Sequence, residues 1–551
     1  VADLVARHEV LRTVYPETES GPVQVVLPVG QAVPELAVRS VAAGEVVAAV
    51  SELASAGFDV TAEVPLRVAL FRIGTADSAE TVATNGAGGD TAGSHDEFVL
   101  ALVMHHISGD GSSVVPLTRD LMTAYAARVA GEAPGWAPLR VQYADFSIWQ
   151  RELLGADTHP ESLAAKQIGY WESALAGIPD QLDLPADRPR PAVQSYSGGR
   201  IAVEIDAEIH AGLQRLAQRQ GATLFMVAHT AFAVLLSRLS GTDDITIGTP
   251  IAGRGEQALE DLIGMFVNTL VFRTQLDQGE AFTDLLARQR EVDLQAFAHA
   301  DVPFERLVEV LNPVRSTARH PLFQVGFSFQ NLAQSSLELP GLTVSGVDID
   351  TEISQFDLHL IIGDDYESSG APAGITGALT YATALFDRAT AQGFVDRFVW
   401  LLRELVAEPS VAVGDIDLLA PAERVALTER NSTARELDSS QTLVSLLDHS
   451  VAAGADTVAL VAADGSQVTY AELGARVNGL ARYLIGRGVG PEVRVALALR
   501  RSVDLVVAMY AVAVAGGVYV PLDPDQPAER SDYILETAAP VCVLTDAGSG
   551  F

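Results

Sequence analysis

Residues Met104 to Ser113 read MHHISGDGSS, and this run constrains its surroundings more tightly than any other segment. The preceding stretch, Glu97 to Met104 (EFVLALVM), has the apolar, branched character of a strand. A glycine-bearing turn follows the histidine pair, then Asp110 and Gly111, then a helix expected to open at Ser112 or Ser113. Strand, turn and helix in so short a span require an α/β fold. Neighbouring strand residues face opposite ways. If the strand persists through His105 and His106, one imidazole meets packed protein and the other faces a cavity. Histidine is the side chain best placed to exchange a proton near neutral pH. In this setting the pair predicts catalysis or substrate positioning, whereas an isolated HH pair would read as structural.

The chain has 551 residues, 48% apolar and 19% charged, which fits a globular protein with more than one core. Its net charge of -35 disfavours nucleic acid as a partner. The single cysteine, Cys542, excludes an intrachain disulfide framework and a multi-thiolate zinc site, and no metal is expected. A reducing, cytoplasmic setting is expected, and no signal peptide is visible. The most apolar stretches, Ala222 to Leu239 and Val503 to Val520, contain His, Arg, Gly or Thr. They predict buried core segments rather than membrane spans. The chain does not begin with Met and reads as a piece of a longer polypeptide.

Four blocks are expected. Residues 1–187 alternate helix and strand, with a helix near Asp3 to His8, a strand near Gln24 to Leu27 and a long helix from about Val115 to Ala130. Gly74 to His95 is small, polar and aperiodic, a surface insertion. Clustered prolines between Leu184 and Pro191 mark a crossover. Residues 188–419 repeat the mixture, with a helix Leu224 to Leu239 and strands Asp244 to Gly248 and Leu322 to Phe329. A charged connector, 420–440, precedes an α/β block, 441–551.

Further motifs occur in order: Arg7-His8-Glu9-Val10-Leu11-Arg12-Thr13-Val14-Tyr15, Tyr143 to Trp149 (YADFSIW), Ile263 to Thr269 (IGMFVNT), His299 to Glu305 (HADVPFE), Arg319 to Gln324 (RHPLFQ) and Phe329-Gln330-Asn331. Together with HHxxxDG they resemble the condensation domains of nonribosomal peptide synthetases. The last block, with Val468 to Leu473 (VTYAEL) and Ala515 to Asp523 (AGGVYVPLD), resembles the start of an adenylation domain. Tyr15 replaces a phenylalanine of the family pattern, and Ser112 a frequent tryptophan.

The resemblance implies two chloramphenicol-acetyltransferase-like α/β lobes in a V, the N-terminal one lacking its first strand and helix, then a truncated adenylation subdomain. The fragment could therefore be unstable or inactive alone. The lobes would enclose a tunnel, with upstream donor and downstream acceptor peptidyl carrier proteins delivering substrates on phosphopantetheine. No cofactor is expected within this segment, because ATP and magnesium belong to a complete adenylation domain. No G-x-S-x-G elbow supplies a serine nucleophile, which suits a reaction whose nucleophile is the acceptor amine. His106 is the candidate base or positioning group, and the Gly111 N–H could orient the oxyanion. His105 is expected buried and structural, and Asp110 to pair with Arg254 rather than act in a relay. Arg7 and Arg12 are expected in ion pairs. Ser112, Asn268 and Gln330 are tunnel candidates. Tyr143, Phe146 and Trp149, at helical spacing, are expected in the core, as are Phe266, Phe304 and Phe323. The intact histidine pair argues against a cyclising member, and the intact IGxFVNT and PFE motifs against an epimerising one. Ser108-Gly109 resembles members that accept a donor ending in a D-residue. Two other classes remain: a free-standing coenzyme A-type acyltransferase, and a catalytically silent domain that recruits partners.

Overall fold

The computed structural model describes residues 1–19, 21–74, 97–330, 339–347, 352–419, 421–436 and 439–547. Two compact units emerge, Val1–Val425 and Ala426–Phe551. The expected insertion (its residues 75–95) and Asn331 lie outside the described residues.

The first unit contains two larger sheets. In the N-terminal one, Ala37–Ala42 runs parallel to Leu66–Gly74, which pairs antiparallel with Glu97–Met104. Its alternation sends Ala69, Phe71 and Ala101 against Val46 and Val50 of helix Val46–Ser55. Leu66 and Val68 point the other way, into a cluster with Leu4, Val5, Val10 and Leu11. Because both faces of the central strand are committed, a one-residue slip would turn each apolar set against the wrong partners.

The second sheet has six strands, in the order Asn268–Gln275, Asp244–Ile251, Val325–Gln330, Leu358–Tyr366, Pro372–Ala382 and Gly198–Ile205. Val325–Gln330 is parallel to both neighbours and the remaining pairs are antiparallel. Ile201, Val203, Ile245, Ile247, Phe327 and Leu360 join a core with helices Ala207–Gln220, Leu224–Ser240, Phe282–Ala298 and Arg388–Ala407. Asp206 and Thr223 cap the first two helices through their side chains, and Gly221 and Gly241 end them at φ 62° and 73°.

Several expectations need correction. The strand expected from Leu322 begins at Val325, because Leu322 takes a positive φ of 66° that no strand residue adopts. Leu322 and Phe323 instead pack beneath the sheet. The connector is not structureless: Pro421–Asn431 is helical. In helix Tyr143–Leu154, Phe146 is buried and Tyr143 packs beside it, but Trp149 is 44% exposed and is not a core residue. The prolines of Leu184 to Pro191 do interrupt regular structure, and Arg190 there grips Asp357 through two nitrogens. Leu224–Ser240 is a buried core helix, and no single helix among the described residues is long and apolar enough to cross a membrane.

In the second unit, Arg494–Ala498 lies between Val518–Pro521 and Cys542–Thr545 in a parallel sheet. Helices Tyr470–Gly486 and Val503–Val514 pack their apolar faces together, and a Thr469/Glu472 capping box opens the first. The stretch Val503 to Val520 is thus a helix followed by a strand.

The six-stranded sheet's helical layer holds an unusual polar group. His229 and Asp293 are both 0% exposed, with His229 Nδ1 3.8 Å from Asp293 Oδ2. Gln289 Nε2 donates to Asp293 Oδ1 at 2.8 Å, while Phe225 stacks on the imidazole and Phe272 meets it edge-on. Burial pushes the Asp293 carboxyl up to about 7 and drives His229 down to about 3. The two act oppositely on stability. Asp293 contributes stability below about pH 4 that is lost as pH rises towards 7. His229 contributes stability above about pH 6.5 that is lost as pH falls towards 3. In urea titrations across pH, Asp293→Asn should gain on the wild type by ~1 kcal/mol or more between about pH 4 and 7. His229→Phe should gain on it as pH falls below about 6.5. A pH-independent difference in either series would contradict this account.

Candidate active site

The strand Glu97–Met104 stops one residue before the histidine pair. His105, at φ -65° and ψ 138°, caps a 3₁₀ turn, His106–Ser108. The strand does not persist through the pair, so a turn rather than strand alternation separates the two rings. His105 is half-buried rather than fully buried. Its Nδ1 accepts the Ile107 N–H at 3.0 Å, and its ring meets Phe58 edge-on at 5.7 Å. Arg67 covers Phe58 in turn, 3.9 Å from its centroid. That acceptor role puts the ring proton of neutral His105 on Nε2. His106 is exposed.

Asp110, not Ser112 or Ser113, caps the next element, a 3₁₀ turn, Gly111–Ser113, that runs into helix Val114–Val129. Its carboxylate is heavily engaged. Oδ1 accepts from Ser113 N at 2.9 Å and Ser113 Oγ at 2.8 Å, and Arg254 Nη2 lies at 3.2 Å. Oδ2 accepts the Phe266 N–H at 2.9 Å. Arg254 also donates to the Leu259 and Leu262 carbonyls and lies over the Phe266 ring. Three contacts on Oδ1 and one on Oδ2 tie this carboxylate to the protein scaffold, and no histidine is among these partners. Gly111 is exposed and Ser112 half-buried on the same turn.

Arg7 Nε contacts Asp120 Oδ2 at 2.7 Å, and His8 Nε2 reaches the same oxygen at 2.8 Å. Burial alone would raise the Asp120 pKa, but hydrogen bonds from His8, Arg119 and Arg7 hold it down at about 2. Arg12 binds the Leu27 carbonyl and Glu9. Asn268 is not a free tunnel residue. Its Nδ2 donates to the Ala300 and Val302 carbonyls, both at 2.8 Å, while its Oδ1 accepts from Thr269 N and Phe304 N. The amide is satisfied on both sides by protein. Gln330 is exposed at the end of its strand, opposite Gly363.

Sequence reading took Ser113 only as a candidate helix opener and Gly264 only as backbone punctuation, and assigned no role to His8 or to the Tyr143 hydroxyl. Ser113 Oγ meets both backbone groups of Gly264, at 3.0 and 3.1 Å, and Tyr143 Oη donates to Met265 O at 2.7 Å. Burial pushes Tyr143 up to about 12, so it stays a donor. These residues sit inside recognised motifs, but partners more than 100 positions apart leave no mark in a single sequence. Among the described residues, no three His, Cys, Asp or Glu side chains are grouped as metal ligands would be.

Residues 92–428 match the condensation-domain family, and residues 447–550 match the AMP-binding enzyme family. The chain belongs to the condensation-domain family, followed by the start of an AMP-binding domain. It is 44% identical over 546 residues to a probable non-canonical nonribosomal peptide synthetase, CymA, of Salinispora arenicola. It is 44% identical over 544 residues to a dimodular nonribosomal peptide synthase of Bacillus subtilis. Each match covers 99% of this chain but only 7% and 22% of those relatives. Among solved structures, the X-domain and OxyB complex from teicoplanin biosynthesis matches at 34% identity and TM-score 0.68, covering 76% of this chain and 86% of that one. A four-domain nonribosomal peptide synthetase bound to AMP and glycine matches at 26% identity and TM-score 0.78, over 99% of this chain and 40% of that one. The fold is the two-lobed, chloramphenicol-acetyltransferase-like one of condensation domains.

The Asn268 geometry makes a direct prediction for this condensation domain. Asn268→Ala leaves two carbonyls and two N–H groups without their side-chain partner, and should lower stability by about 2–3 kcal/mol. Turnover per folded molecule should stay within about twofold of wild type, on the standing uncertainty of such effects. A large loss of turnover in fully folded N268A would instead restore Asn268 as a substrate contact.

Proposed function

We propose that the chain joins a donor peptidyl or aminoacyl thioester to the amine of an acceptor aminoacyl thioester, each carried on a carrier protein's phosphopantetheine. The observation that carries this is the exposed imidazole of His106, on a turn held from one side by His105 and from the other by Asp110. Of the two adjacent histidines, His106 is the more exposed. The acceptor amine attacks the thioester carbonyl, a carbon–nitrogen bond forms, the carbon–sulfur bond breaks, and the amine's proton ends on the departing sulfur. His106 either carries that proton or hydrogen-bonds the amine in line with the carbonyl. Gly111 opens a helical N-terminus, where N–H groups lack intrahelical partners. That supports its N–H as an orienting donor for the oxyanion. The carbonyl is already activated as a thioester, so no serine or cysteine nucleophile is required.

Ser108 and Gly109 support the finer reading that the donor ends in a D-residue. Gly109 packs so closely on the Met104 side chain that a Cβ would displace it, which ties residue choice here to the shape of the histidine turn. The partners are an upstream donor carrier and a downstream acceptor carrier, working beside the adenylation domain in the cytoplasm. The neighbouring AMP-binding segment counts against a free-standing coenzyme A-type acyltransferase. Likeness to the X-domain keeps one competitor, a silent domain that recruits a partner protein.

The test loads a donor carrier with a peptide ending in a D- or L-residue and an acceptor carrier with an amino acid, then follows product on the acceptor by intact-protein mass spectrometry. Wild type should form product, with D-ending donors preferred. His106→Ala should slow it by about 10²-fold or more. Equal rates from both proteins remove His106 from the mechanism. No product from folded wild type with matched carriers favours the recruiting reading.

A further inference from the structure

Two hydroxyls from the N-terminal half grip one loop of the C-terminal half within the first unit. Ser113 Oγ accepts the Gly264 N–H at 3.1 Å, lies 3.0 Å from Gly264 O, and receives Arg254 Nη2 at 3.0 Å. Tyr143 Oη donates to the next carbonyl, Met265 O, at 2.7 Å. Ser113 is 0% exposed. It is also locked to Asp110 in a reciprocal capping box, and Asp110 lies four residues beyond His106. Gly264 fits because it has no side chain: a Cβ there would run into the Tyr143 ring and Phe266. Phe266 itself meets the Tyr143 ring edge-on at 5.2 Å.

This arrangement differs from an ion pair in what it fixes. The Asp110–Arg254 contact is a single 3.2 Å approach between charged groups, and charge attraction falls slowly with distance. Hydroxyl contacts to backbone N–H and C=O are directional, and weaken steeply once the angle at the hydrogen falls below about 120° or the separation reaches about 3.6 Å. The Ser113 hydroxyl has one proton for two acceptors, Asp110 Oδ1 and Gly264 O. The same atom therefore belongs to the cap behind His106 and to the opposing loop. Misplacement of about 1 Å at a reacting centre is the scale at which rate falls by about 10²-fold.

We propose that Ser113 and Tyr143 are positioning residues for the condensation reaction, forming a pin that sets the register of the His106 turn against the 262–266 loop. The proposal rests on the reading of His106 as the residue that meets the acceptor amine.

The experiment uses the full chain with Tyr143→Phe, which keeps the ring, and with Ser113→Ala and Ser113→Thr. Condensation kinetics at a temperature where all are folded would be paired with hydrogen exchange of peptides spanning 104–113 and 259–268. Tyr143→Phe and Ser113→Ala should each lower kcat by about tenfold with the acceptor KM unchanged, and should raise exchange in both peptides. Ser113→Thr, which keeps the hydroxyl, should recover most of the rate lost in Ser113→Ala. Unchanged exchange in Tyr143→Phe, or rates that fall only with the folded fraction, would overturn the pin. A His106→Ala protein as active as wild type would sink the His106 reading instead, while the exchange data would still decide whether the loop register depends on the two hydroxyls.

Discussion

The buried carboxylate of Asp110 is the point on which the histidine turn, the helix behind it and the opposing loop all depend. Its side chain is 0% exposed, yet it accepts three hydrogen bonds and the Arg254 contact from both halves of the unit. A buried charge with fewer partners would be costly to keep ionised. With these four, it caps helix Val114–Val129, aligns Ser113 with Gly264 and draws the Phe266 backbone inward. The consequence for chemistry is negative and specific. A carboxylate so engaged is committed to holding the two halves of the unit together rather than to a hydrolase-type triad.

The contrast between Asp120 and Asp293 shows how donors and depth together decide the state of a buried acid. Asp120 meets His8, Arg7 and Arg119 and is held at about 2. Asp293 has one amide donor, Gln289, with His229 too far for a hydrogen bond, and rises to about 7. Asp120 anchors an N-terminal network that reaches Asp261 through Arg119 at 2.5 Å. The 254–266 loop is thus tied to the N-terminal half at several points, and its approach to the histidine turn does not hang on one bond.

Much of the fold and the site was legible in the sequence, for reasons that differ from residue to residue. The α/β class and the core helix Leu224–Ser240 followed from local periodicity, which burial enforces directly. The ends of elements were less legible: a positive φ at Leu322 delays a strand, and helix Pro421–Asn431 lies where a charged composition suggested only a connector. Trp149 sits at helical spacing with Phe146, but spacing cannot tell whether a neighbour covers that stripe. The resemblance drew Asp110 and Arg254 together, and in the structure they lie 3.2 Å apart. Asn268 could not be read at all, since its role as a clamp depends on carbonyls more than 30 residues away.

The histidine pair carries the sharpest lesson. Alternation along a strand would have given one ring to the core and one to a cavity by geometry alone. The chain leaves the strand at His105, and the division of labour arises from hydrogen bonding instead. His105 uses Nδ1 to accept the Ile107 N–H and close the turn, and with Phe58 at its edge it is committed to holding shape. His106, one residue on, begins that turn and is exposed. Two chemically identical side chains thus differ in setting because one ring nitrogen of His105 is taken up by the backbone. Exchanging His105 for a side chain without an acceptor at that position would leave the Ile107 N–H unpaired and loosen the turn that presents His106. The first histidine therefore shapes the turn on which the second sits.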